Sequence, residues 1–131
     1  MIRTVLALGM WTILIWGFRA LNIGVEEAAR DPQIMAWCFV GLGLICIIGL
    51  YLWAEDRLNT LGFAIFIWGF AALSITRWAI STTRIFTQTN TNSFRAVHVT
   101  MAIVTAALGL RASYVMWRLT KSERSLPAQQ T

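Results

Sequence analysis

Four uninterrupted apolar runs constrain this chain more than any other feature. They cover residues 4–23, 34–54, 61–80 and 97–117. Each is about 20 residues long, which at ~1.5 Å of helical rise per residue spans the roughly 30 Å hydrocarbon core of a bilayer. In lipid only helices and closed barrels satisfy every backbone N–H and C=O, and barrel strands alternate apolar with polar residues. These runs do not alternate, as Ile45-Cys46-Ile47-Ile48-Gly49-Leu50 illustrates. The expectation is an all-α, polytopic membrane protein with four transmembrane helices. Composition points the same way, because only 13% of the 131 residues are charged and 57% are hydrophobic, whereas soluble domains carry about 25% charged residues. Too little polar surface remains to cover a globule in water, which excludes a disordered chain, a disulfide-stapled scaffold and a soluble enzyme.

The connections set the expected organisation. The first run ends in Arg19, Ala20, Leu21 and Asn22 with no small-x-small cleavage site, so it reads as a retained helix and not a signal peptide. In the stretch 24–33, Asp31-Pro32 reads as a helix stop and turn, with the connection lying flat at the surface. The stretch 55–60 is short enough to force a tight antiparallel hairpin. The polar stretch 81–95, rich in Thr and Asn, reads as a loop into which the third helix extends no further than Phe86. A single four-helix domain over 1–118 is therefore expected, followed by a mobile polar tail over 119–131 that has no apolar period.

An internal match crosses these runs. Ile13-Leu14-Ile15-Trp16-Gly17-Phe18-Arg19-Ala20-Leu21-Asn22-Ile23 aligns with Ile65-Phe66-Ile67-Trp68-Gly69-Phe70-Ala71-Ala72-Leu73-Ser74-Ile75 at an offset of 52, with eight of eleven positions identical. Two readings stand: a parallel two-plus-two repeat whose signature is Trp16, Gly17, Phe18 and Trp68, Gly69, Phe70, or convergence of aromatic, Gly and Leu residues in apolar helices.

Chemistry-bearing residues are sparse. The net charge of +5 comes largely from arginines, ten of the eleven basic residues, scattered through connections and helix ends where anionic headgroups lie. No basic cluster with interleaved aromatics suggests nucleic acid. Cys38 and Cys46, eight positions apart in one run, would be separated by roughly 12 Å of helix and cannot form a bridge. The acids, Glu26, Glu27, Asp31, Glu55, Asp56 and Glu123, all lie outside the runs, which argues against a proton-coupled carrier or a cation exporter. His98 is the sole histidine, at the start of the fourth run, and cannot build a haem or multi-His metal site within one chain. No Ser or Cys has a recognisable base and orienting acid, and no Gly-rich phosphate loop is present, so neither catalysis, cofactor nor metal is expected. Trp37, Trp53, Trp78 and Trp117 read as interface anchors, and Trp11, Trp16 and Trp68 as mid-span packing.

The fourth run differs from the others. Thr105, Gly109 and Ser113 recur every four residues with Ala102, Ala106 and Ala112 beside them, a small-residue face that lets helix backbones approach closely in lipid. It can pack within the chain or against a second copy. Arg111 is the deep charge, placed by sequence about 9 Å of helix from Trp117. It can snorkel toward that end, or join Thr100 and the nearby hydroxyls in lining a pore or an interhelical contact. With four spans both termini share a side, five basic residues fall on each side, and Arg111 breaks the tie toward cytoplasmic termini.

In plan, the short-looped spans, the absence of a catalytic motif, the Arg-rich ends and the basic tail resemble the small polytopic holin-like proteins of phage lysis cassettes. That resemblance is one of architecture and carries no functional residue with it. It implies accumulation in a bacterial cytoplasmic membrane, homo-oligomerisation and membrane lesions or pores. An accessory or scaffold subunit packed on membrane-protein partners, and a small oligomeric channel or transporter, are the competing classes. The partners expected from all three are the lipid bilayer and other membrane helices, with no nucleic acid.

Overall fold

The computed structural model describes residues 2–22, 30–87 and 91–125. Among them the chain is all-α, with four helices and no strand: α1 (Ile2–Asn22), α2 (Arg30–Ala54), α3 (Thr60–Thr87) and α4 (Asn92–Ser125). All four are long and apolar enough to cross a membrane, and the protein is an integral membrane protein. The chain divides into two compact units, Met1–Leu58 and Asn59–Thr131, each a pair of helices.

In the first unit the buried positions of α2, Ala36, Phe39, Gly43, Cys46 and Leu50, alternate steps of three and four, the period of a coiled-coil seam. They meet Val5, Leu8, Gly9, Thr12, Trp16 and Ala20 of α1. The crossing is made by glycine. A Cβ placed at Gly9 would lie 2.9 Å from Ile47 Cγ1 and 3.3 Å from the Gly43 carbonyl oxygen, and one at Gly43 would lie 2.8 Å from Ile13 Cγ1 and 3.0 Å from the Gly9 carbonyl oxygen. Nearby, Trp16 stacks on Phe39 with centroids 4.5 Å apart. The Thr12 hydroxyl donates back to Leu8 O at 2.8 Å, so a polar group enters the seam without an orphaned donor.

The second unit repeats the principle with a cleaner seam. Thr60, Ala64, Ile67, Ala71, Ser74, Trp78, Ser81 and Ile85 of α3 are all buried and all fall on one heptad pattern. Thr105, Gly109, Ala112, Met116 and Thr120 of α4 oppose them. Three contacts fix the antiparallel register along its length. Thr60 Oγ1 donates to Glu123 Oε1 at 2.7 Å, Trp68 Nε1 donates to Ser113 O at 3.1 Å, and the Arg95 guanidinium lies 5.6 Å over the Phe86 ring.

Helix ends account for the differences from expectation. Asp31-Pro32 does not stop a helix; it lies in the first turn of α2, where the N–H that proline lacks would have no intrahelical acceptor anyway. The polar stretch after residue 80 is mostly helical, since α3 runs to Thr87 and α4 begins at Asn92. There the Thr83 and Thr87 hydroxyls bond to Ala79 O and Arg84 O, so the threonines are satisfied without leaving the helix. The expected mobile tail is helical through Ser125, with Thr120 buried against α3 and Glu123 held by Thr60; residues 126–131 lie outside the described residues, as do 23–29 of the first connection. α2 ends in a Schellman motif, with Arg57 N donating to Leu52 O at 2.9 Å and Asp56 N to Trp53 O at 3.1 Å, which places Asp56 at φ 56°. Asn59 then caps α3 through its side-chain oxygen on Leu61 N at 2.8 Å, and Thr91 caps α4 through its hydroxyl on Phe94 N at 3.4 Å.

Candidate functional site

The small-residue face of α4 is occupied within the chain. Thr105 and Gly109 are buried against α3, and a Cβ at Gly109 would lie 3.3 Å from Ala71 Cβ and 3.7 Å from Ala71 Cα. Ser113 is half-buried, and its carbonyl accepts the Trp68 indole hydrogen bond. Ala102 and Ala106 are half-buried on one flank, where with Trp78, Thr82 and Phe86 they line an open cleft of about 670 Å³. The answering residues on α3 went unread in the sequence, although Ala64, Ala71, Ser74 and Ser81 carry the same signal: small side chains at heptad spacing.

Arg111 and Thr100 are separate from that face. At ~100° per residue, Arg111 lies about 160° around α4 from Gly109, and both Arg111 and Thr100 are exposed. The register sets the depth of Arg111. With Gly109 against Ala71 and Trp68 against Ser113, position 111 stands level with Phe70, the middle of the apolar stretch 61–80. The distance to either end of that stretch is roughly 15 Å of helix, whereas the end of the apolar run on α4 itself, at Trp117, is about 9 Å away. α4 itself continues past Trp117 to Ser125, its end paired with the start of α3. No acidic side chain among the described residues forms an ion pair with it.

Arg111 belongs to a line of residues. Ser93, Thr100, Ala107, Arg111 and Arg118 fall within about 20° of one line along α4, and all are exposed. Ile103, Leu110 and Tyr114 flank this line on one side, also exposed. The Thr100 hydroxyl donates to Ala96 O at 2.8 Å and keeps its lone pairs for another donor. α4 thus carries two opposed faces, one small and buried on α3, the other polar and turned away from it.

The remaining charged and polar groups are peripheral to this line. His98 is half-buried, its Nδ1 3.0 Å from Phe94 O and its ring 4.2 Å from Phe94 and 6.0 Å from buried Trp78. Arg19 lies over the Trp16 ring and Lys121 over Trp117. Buried polar atoms without a hydrogen-bond partner include Ser74 Oγ, in the α3 seam, and Arg77 Nε. Among the described residues no three His, Cys, Asp or Glu side chains gather as a metal site would require.

The internal match does not carry over into packing. Phe18 is exposed and Phe70 buried; Gly17 lies near Val40, whereas Gly69 is exposed with open space around it; Trp16 is buried on Phe39, whereas Trp68 is half-buried and bonded to Ser113. Over the matched stretch the two seams fall one residue apart, a rotation of about 100°, so identical residues receive different environments. Comparison with family models, curated protein sequences and solved structures finds no match to this chain.

Proposed function

We propose that this protein self-associates in a membrane and opens a water-filled path lined by the outward face of α4, a holin-like activity involving no catalysis. The observation that carries this reading is Arg111: an exposed guanidinium turned away from its hairpin partner, level with the middle of the apolar stretch 61–80 and without a counter-charge among the described residues. An arginine at the centre of a spanning helix costs from about 2.5 to more than 10 kcal/mol when it faces lipid, so such residues face water or a partner. Several copies arranged around an aqueous lumen supply that water. Support for water over a single contact comes from the continuity of the line Ser93, Thr100, Ala107, Arg111 and Arg118, small or polar over most of the length of α4. Its exposed apolar flank, Ile103, Leu110 and Tyr114, is suited to neighbouring copies. The small-residue face, buried on α3, is not the self-association surface in this reading. A bacterial cytoplasmic membrane with cytoplasmic termini is the proposed setting.

The experiment is release of encapsulated chloride from vesicles carrying the purified protein, followed with an external chloride electrode. Wild type should release it, and Arg111→Leu, which makes the line lipid-compatible, should insert equally and release far less. Intact vesicles at high protein content would reject the proposal. An accessory subunit is the second reading, favoured by Arg77, whose buried Nε has no acceptor among the described residues and suits a partner's carboxylate. Recovery of the protein in a stoichiometric complex with other membrane subunits would decide for it.

A further inference from the structure

The geometry of α4 points to a pore that passes anions in preference to cations, an inference that rests on the proposed pore and specifies what crosses it. Every charge on the outward line is positive. Arg111 stands level with the middle of the α3 apolar stretch, and Arg118 lies two turns, about 10 Å, farther along the same line. The acid of α4, Glu123, is on the other side of the helix, its carboxylate held by the Thr60 hydroxyl at the end of the α3 seam. A lumen built from copies of this face therefore carries at its middle a ring of guanidinium groups with no carboxylate beside them.

In such a ring the charges sit between low-dielectric walls, where their field is screened less than at the surface and concentrates counter-ions. A guanidinium offers several N–H donors to replace water lost by an anion. Thr100, about 16 Å along the same line, adds a neutral hydroxyl oxygen and no opposing charge. The permeant class is small hydrated anions such as chloride, with cations repelled at the ring.

The test is the reversal potential of the full-length protein in a planar bilayer under a potassium chloride gradient. A chloride-to-potassium permeability ratio on the order of ten is expected for wild type, within the range by which a charged constriction enriches its counter-ion. Arg111→Gln should bring the ratio toward one, Arg111→Glu should invert it, and Arg111→Lys, which keeps the charge, should preserve it. A cation-preferring wild-type pore, or a ratio unmoved by Arg111→Gln, overturns this inference and leaves the pore standing. Absence of any conductance with protein demonstrably inserted overturns the pore itself, and this inference with it.

Discussion

Asp56 and Ser74 carry the clearest residue-scale consequences. At φ 56° Asp56 occupies the left-handed position of a Schellman motif, where a side chain is a burden and glycine the usual occupant. Asp56→Gly should stabilise the first unit by roughly 0.5–1 kcal/mol, read as a shift in chemical unfolding in detergent, while Asp56→Val should destabilise it. Ser74 presents the opposite case, a hydroxyl inside the α3 seam with no hydrogen-bond partner among the described residues. A buried unsatisfied polar group costs about 1–3 kcal/mol. Ser74→Ala should therefore raise the unfolding midpoint, and a large loss of stability would mean that the hydroxyl has an acceptor after all. Neither site was legible in the sequence. A serine in an apolar run says nothing about whether its hydroxyl finds an acceptor, and an aspartate in a polar turn does not announce a positive φ.

At the scale of elements, each hairpin depends on close backbone approach at particular glycines. Gly109→Leu places a branched side chain where Ala71 already stands 3.3 Å from a Cβ, and overpacking of this kind costs about 1–3 kcal/mol. The α3·α4 unit should then melt earlier and lose protection of its backbone amides from exchange. Gly69→Leu, at a site with nothing within 4 Å, should change little, although Gly69 belongs to the most conspicuous sequence pattern in the chain. Helix identity and number were legible in the runs themselves. The ends were not, because a polar stretch has the same composition whether it is a loop or a helix that satisfies its own hydroxyls. Threonines in α3 bond back to their own helix, and Glu123 is carried into the pairing by Thr60, so α4 continues well past the last apolar residue.

For the whole molecule, self-association through the outward face of α4 predicts that Ala107 is wetted. In a variant with Cys38 and Cys46 replaced by Ser, Ala107→Cys should react with a membrane-impermeant maleimide in intact vesicles, and Leu110→Cys, on the flank, should not. Equal protection of both would remove α4 from any water path. The sequence by itself determined that this chain is helical and membrane-spanning, because those properties follow from the length of apolar runs and the absence of water to satisfy a backbone in lipid. It also singled out the arginine and the small-residue face. Which way each faces was decided by the tertiary structure. Periodicity places Gly109 and Arg111 on different sides of α4 but does not say which side meets a neighbour. Only the register of α3 against α4, set by Trp68 on Ser113 and Thr60 on Glu123, assigns the small face to the hairpin and brings Arg111 level with Phe70.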